Sequence, residues 1–250
     1  MSRSQPDEHQ ANPSTRWFEW QGELGIIRYY DKEKQANTTV DLPFTFILLD
    51  QLGMVKGWDE TNKTGIYSNE VKDTRQETLI VKRYKGGTVA EGFYKAIKDE
   101  VNAAGADFHT QLYVAYKAGS TLKLGGLRFK GAALNAWVEF QRKHRMDIYK
   151  QAIVIAGNDE NKKGKVVYRT PQFSLKEISK ETETAATALD VELQDYLKGY
   201  FAKTKRAQVE HVRDEDMPTA PALPLPPAET QAETQAEIVG QDVYDDDIPF

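Results

Sequence analysis

At 250 residues, 40% hydrophobic and 28% charged, the chain has an ordinary globular composition and enough length to bury a core. No stretch approaches the ~20 apolar residues that cross a bilayer, and the polar start MSRSQPDEHQANPSTR lacks the apolar run of a signal peptide. With no cysteine, disulfides, thiolate zinc sites and cysteine nucleophiles are excluded, which fits a reducing cytosol. The net charge of −5 hides two regimes. Residues 206–250 hold two basic and eleven acidic residues, a net −9, while residues 1–205 hold 31 basic and 27 acidic, a net +4. A mildly basic body with an acidic tail suggests a polyanion-binding body and an interaction segment.

Taken in order, residues 1–15 read as a disordered lead-in. From 16 to about 85 the sequence is strand-like, with runs at 17–20, 24–30, 44–55, 64–67 and 79–84 separated by Asn37, Gly53, Gly57, Asn62 and Gly86-Gly87. Val89, Phe93, Ile97 and Val101 fall four apart and predict an amphipathic helix over 89–104. Strands at 111–116 and 121–130 follow, joined by a turn at Ala118-Gly119-Ser120. Leu122 and Leu124 alternate in one phase, Leu127 and Phe129 in the other, so a bulge or sharp bend is expected at Gly125-Gly126. A helix carrying Leu134, Trp137 and Val138 comes next, then strands at 153–155 and 166–168 around a Lys- and Gly-rich turn. Leu189, Leu193, Tyr196, Leu197, Tyr200 and Phe201 form the stripe of a long helix over 178–202, suited to the body or to a second subunit. After Lys205 the chain turns Pro-rich and repeats AETQ in tandem, a composition expected to stay disordered. Strands around one central helix predict a mainly β, α+β protein with an OB-fold, a small Greek-key β-barrel over 16–205, plus the C-terminal helix and the tail.

The last residues are Asp245, Asp246, Asp247, Ile248, Pro249 and Phe250. Disorder explains the acids but not the apolar end. A terminal phenylalanine offers a ring for a pocket and a carboxylate for a cation at its rim, and Pro249 lowers the entropy lost on ordering. Asp-Asp-Asp-Ile-Pro-Phe after a Pro/Gln-rich linker resembles the tip of bacterial single-stranded-DNA-binding (SSB) proteins. The body is longer than the short bacterial domain and is similar to the SSB proteins of tailed phages, which pair an OB-fold with an acidic tail ending in phenylalanine. That resemblance implies binding of single-stranded DNA in phage DNA replication, recombination and repair, in the cytoplasm of a bacterial host. It further implies a tip that docks on polymerases, primases, helicases or nucleases. Departure from the bacterial pattern removes the expectation of a tetramer and leaves a monomer or dimer.

Binding single strands without sequence preference needs cations along the phosphates and aromatic faces for the bases, each stacked base contributing about 1–3 kcal/mol. Lys82, Arg83, Tyr84 and Lys85 are the densest such cluster. Tyr113 and Lys117 lie opposite the apolar phase of Leu112, Val114 and Tyr116, and Lys123, Arg128 and Lys130 follow on the hairpin. Tyr29, Tyr67 and Trp17 complete the DNA-binding candidates; Trp58, Trp20, Arg28 and Tyr30 are also interleaved with them. Trp17 and Trp20 equally suit a core plug, and Phe129 and Tyr116 share the phase of core residues. Lys162, Lys163 and Lys165 read as a solvated turn or as DNA contacts.

No G-x-x-x-x-G-K-[ST] loop, G-x-G-x-x-G fingerprint or G-x-S-x-G elbow occurs, and His9, His109, His144 and His211 have no partners at metal-ligand spacing. Asp99 and Glu100 are adjacent on a helix and diverge. No enzyme, cofactor, metal or membrane partner is expected. The rival readings are an interaction protein whose tip occupies host partners, and a strand-annealing recombination mediator.

Overall fold

The computed structural model describes residues 11–84 and 86–215, with side chains to Thr204. Strands β1 (Arg16–Gln21), β2 (Ile26–Asp31) and β3 (Ala36–Val40) form an antiparallel meander. The sixteen-residue β4 (Phe44–Asp59) leads to β5 (Thr64–Ser68), β6 (Leu79–Arg83), β7 (Thr88–Gly92) and helix α1 (Tyr94–Ala103). Then come β8 (Ala106–Ala118), β9 (Thr121–Lys130), α2 (Gly131–Lys143), β10 (Ala152–Lys163), β11 (Val166–Lys176) and α3 (Lys180–Glu215). The chain is mainly β with a long C-terminal helix, as the sequence predicts.

One sheet runs in the order β3-β2-β1-β9-β8-β4-β5-β6-β7, and β10 joins it through β4 with β11 alongside. All pairings are antiparallel except β1 with β9. The ladders do not close into a barrel: β9 pairs with β1, and β11 pairs with β10 alone. Instead the β1–β2 turn is tied to β11 by Arg169 N–H donating to Gly22 O at 2.6 Å and Trp20 Nε1 donating to Arg169 O at 2.9 Å.

Alternation along the strands sorts side chains onto two faces. The inner face carries Phe18, Phe46 and Phe129, against which α2 lays Trp137, with Phe173 of β11 at 5.4 Å from the Trp137 ring. On the β4–β7 arm, Val55, Ile66 and Val81 are covered by Ile97 and Val101 of α1. The outer face is covered by α3 at one end. There Ala186 and Leu189 of α3 pack on Ile47, Ala115 and Leu122.

Several expectations change here. No bulge occurs at Gly125-Gly126, where the β8–β9 register runs unbroken. Leu122 and Leu124 are apolar in the second phase because α3 packs on that side of the sheet, so apolar residues are needed on both faces. The two glycines are required by overlying rings: a Cβ would lie 2.8 Å from Tyr116 at Gly125 and 2.3 Å from Trp17 at Gly126. The four-residue stripe starting at Val89 spans two elements, β7 and α1, that pack on one core. β3 escapes notice because ANTTV is polar and largely exposed. From Asn12 onward the lead-in is bonded to the body, with Thr15 N–H donating to Leu124 O at 2.8 Å. Helix α3 passes Ala202 to reach Glu215 because the added residues include no glycine or proline.

Candidate nucleic-acid interface

Beyond the end covered by α3, the outer face is open along the β4–β6 arm, and the pairing sets what it presents. Lys56 of β4 stands opposite Tyr67 of β5, which stands opposite Lys82 of β6. One row further on, Trp58 faces Gly65, whose carbonyl accepts from Tyr84 N–H. Alternation therefore puts Lys56, Trp58, Tyr67, Lys82 and Tyr84 on the same side, because Val55, Ile66 and Val81 turn inward to α1. Trp58, Tyr67 and Tyr84 are 49%, 39% and 67% exposed, high values for large rings. Tyr67 and Tyr84 lie 6.3 Å apart, and Gly65, between Trp58 and Tyr84, adds no side chain there, the Tyr67 ring edge being 4.0 Å from where its Cβ would stand. Lys82 is exposed and in no ion pair among the described residues.

The face continues onto β8, β9 and β1 with its charges already matched. Glu19 accepts from Lys56 and from Arg128, whose Nε also donates to Gln111 Oε1 at 2.6 Å and whose guanidinium lies 4.7 Å from the Trp17 ring centre. Burial pushes the Glu19 carboxyl up, but Lys56 and then Arg128 hold it below the ordinary carboxylate range. Lys130 pairs with Asp107 at 2.8 Å. Burial pushes His109, beside Lys130 on this face, down to about 4, so its ring is neutral at physiological pH.

Ionised Glu19 stabilises the fold above the ordinary carboxylate pKa, and that contribution fades as pH falls through its lowered folded value. Glu19→Gln is expected to cost about 1–2 kcal/mol at pH 7. The variant should then lose less further stability than the parent between about pH 4.5 and 3. Urea midpoints at the two pH values measure this; equal acid losses would remove Glu19 from the acid response.

The remaining candidates divide. Tyr113 is a correction: it is fully buried, not exposed. The face opposite Tyr116 is itself covered there, so Tyr113 OH donates to Glu70 at 2.7 Å and accepts from Asn12 Nδ2 at 3.2 Å. Asn12 also reaches the Tyr196 hydroxyl of α3 at 3.3 Å. Burial, and then Glu70, push the Tyr113 hydroxyl above its usual range; burial likewise raises Glu70. Arg128, expected at the surface, is only 16% exposed because Trp17, Gln111 and Glu19 enclose it. Arg83 turns to the inner side and binds the buried Asp59 at 2.7 Å; together with Asn62 it holds that carboxyl well below its usual range. Tyr29 also lies on the inner phase, under Arg16 at 4.6 Å and edge-on to Phe18. Trp17 is half-buried over Gly126, whereas Trp20 is core, as are Tyr116 and Phe129. Lys117 is exposed on the outer phase, as expected, but at the end where α3 packs and away from the arm, and Lys123 faces inward in phase at an exposed hairpin end. Lys85 and the tip residues 245–250 lie outside the described residues.

The arm thus keeps Tyr67, Lys82 and Tyr84 from the candidates, together with the interleaved Trp58, and adds Lys56. The i, i+2 pairing of Lys56 with Trp58, repeated by Lys82 with Tyr84, is the sequence signal that could have found Lys56. Among the described residues no group of three or more His, Asp and Glu side chains is placed to hold a metal, and no helix is long and apolar enough to cross a membrane. No protein family, curated protein or solved structure matches this chain.

Proposed function

We propose that this chain binds single-stranded DNA without sequence preference through the aromatic face of the β4–β6 arm. In this reading it protects single strands in DNA replication, recombination and repair, without catalytic activity, and recruits partner enzymes through residues 245–250. The observation that carries the reading is the trio Trp58, Tyr67 and Tyr84, exposed on one sheet face beside Lys56 and Lys82. Rings with interleaved cations hold unpaired bases, whatever their sequence, because every base has a face to stack. A duplex keeps its bases stacked inside and offers such a platform nothing.

The finer fold reading is an OB-type barrel formed by β4, β8, β9, β10 and β11. It is supported by the order of five strands with α2 between the third and fourth, by β4 pairing with both β8 and β10, and by β1 standing beside β9 where closure is interrupted. OB-folds bind oligonucleotides on the face of strands two and three and on the loops before strands two and five. Here those parts are the Arg128 face, the arm itself, and the β10–β11 turn with Lys162, Lys163 and Lys165.

Titration of tryptophan fluorescence with oligo-dT, oligo-dA and duplex DNA at two salt concentrations tests the function. Quenching by both single strands with weak duplex response is expected. A duplex preference, or no response to any oligonucleotide, overturns it. The acidic segment is expected to compete with the strand. Deleting residues 216–250 removes eight carboxylates and no Lys or Arg, and should tighten binding about three- to tenfold at low salt, with less gain as salt rises. Unchanged affinity would remove the competition and leave the aromatic face untouched.

A further inference from the structure

Between α2 and β10 the chain makes a turn that the aromatic face does not use. Arg142, Lys143, Arg145 and Lys150 are all exposed there, against the single acid Asp147. Lys143, Arg145 and Lys150 are in no ion pair among the described residues, whereas Lys56, Arg128 and Lys130 of the outer face are each matched to a carboxylate. Within the same turn Met146 and Tyr149 are 73% and 53% exposed. The C-terminus of α2 accounts for Arg142 and Lys143, since cations there complement the helix dipole. It does not account for Arg145 and Lys150, which lie past the helix, or for an uncovered thioether and ring between them.

The turn lies on the inner side of the sheet, because α2 packs on Phe129 and Phe46. The end of α2 is held at the irregularity in β4, where Gln141 Nε2 donates to Gln51 Oε1 at 2.8 Å.

We propose that this turn is a second contact for single-stranded nucleic acid, taking the backbone phosphates of a strand whose bases occupy the aromatic face. The inference rests on the function proposed above and extends the path of the same ligand. Arg145 and Lys150 hold phosphates, and Tyr149 receives a base. Cations strung along nine residues beside an exposed ring suit an extended polyanion, since phosphate contact and stacking then alternate along it.

The test uses the full chain and two oligo-dT lengths, about 8 nucleotides, which one binding face accommodates, and about 30. For Arg145→Glu/Lys150→Glu, affinity for the short strand stays within about twofold of the parent, while affinity for the long strand falls about tenfold at low salt. The slope of log affinity against log salt for the long strand shrinks by about 1.4, the release expected from two phosphate contacts. The milder Arg145→Gln/Lys150→Gln shows the same pattern at smaller size, and short-strand binding reports in each case that the fold is intact. Long and short strands responding alike overturns the second contact, whether both hold or both weaken. So does a peptide of residues 241–250 that binds the parent but not the variant while the long strand is unaffected, since the turn would then serve an acidic peptide. Failure of the parent to bind either length overturns the aromatic-face reading as well.

Discussion

Trp58→Ala/Tyr84→Ala weakens oligo-dT binding by about 2–6 kcal/mol, at least ~30-fold in affinity, and leaves the fold unchanged. Each ring is available for one base, and each stacked base contributes about 1–3 kcal/mol. Both side chains are about half exposed or more, so their removal uncovers little core, and the urea midpoint should move by no more than about 0.5 kcal/mol. Lys82→Gln behaves differently. It removes a charge without a ring and lowers the salt slope by about 0.7 while barely changing affinity at high salt. Fluorescence anisotropy with a labelled strand separates the two effects. An affinity within threefold of the parent for the double variant would mean the bases lie elsewhere.

Trp137→Ala is expected to be the most damaging single change in the body. The indole is fully buried and touches Phe46, Phe129, Phe140 and Phe173, with ring centres 5.4–6.4 Å away. Truncation to alanine in such a cluster costs about 3–5 kcal/mol, because the surrounding rings cannot close the space. Gln51 Oε1 also loses one of its two donors, Trp137 Nε1 at 3.3 Å, and keeps Gln141 Nε2 at 2.8 Å. For a body of this size the thermal midpoint should fall by about 6–20 °C. Near-ultraviolet circular dichroism during thermal unfolding measures this, and a fall under 2 °C would deny the cluster its part in holding α2 against the sheet.

Most strands are legible because period-two alternation is read from neighbours in sequence. Leu112, Val114 and Tyr116 announce a buried face, and all three are buried. Alternation is silent about what covers the other face. Tyr113 reads as exposed, yet Glu70, Asn12 and Trp17 enclose it, contributions from 43 to 101 residues away in sequence. Arg83 and Arg128 look like free cations for the same reason: their acids, Asp59 and Glu19, come from other strands. The arm is partly visible as Lys82 beside Tyr84. Its extent depends on the register that sets Lys56 against Tyr67 and Tyr67 against Lys82, and register is a property of pairing between segments. β7 is hidden because Val89 falls at a helical interval from Phe93, Ile97 and Val101, and both elements serve one apolar cluster.

Asn12, Tyr113 and Tyr196 meet within two hydrogen bonds, so the segment before β1 and the last helix are buckled to one another across a central strand. Trimming the chain at its beginning therefore loosens the far end. A shortened version that starts after Asn12 loses the amide that joins the two phenols, and α3 then rests on the sheet through its apolar contacts and the bond from Gln194 Nε2 to Asp50.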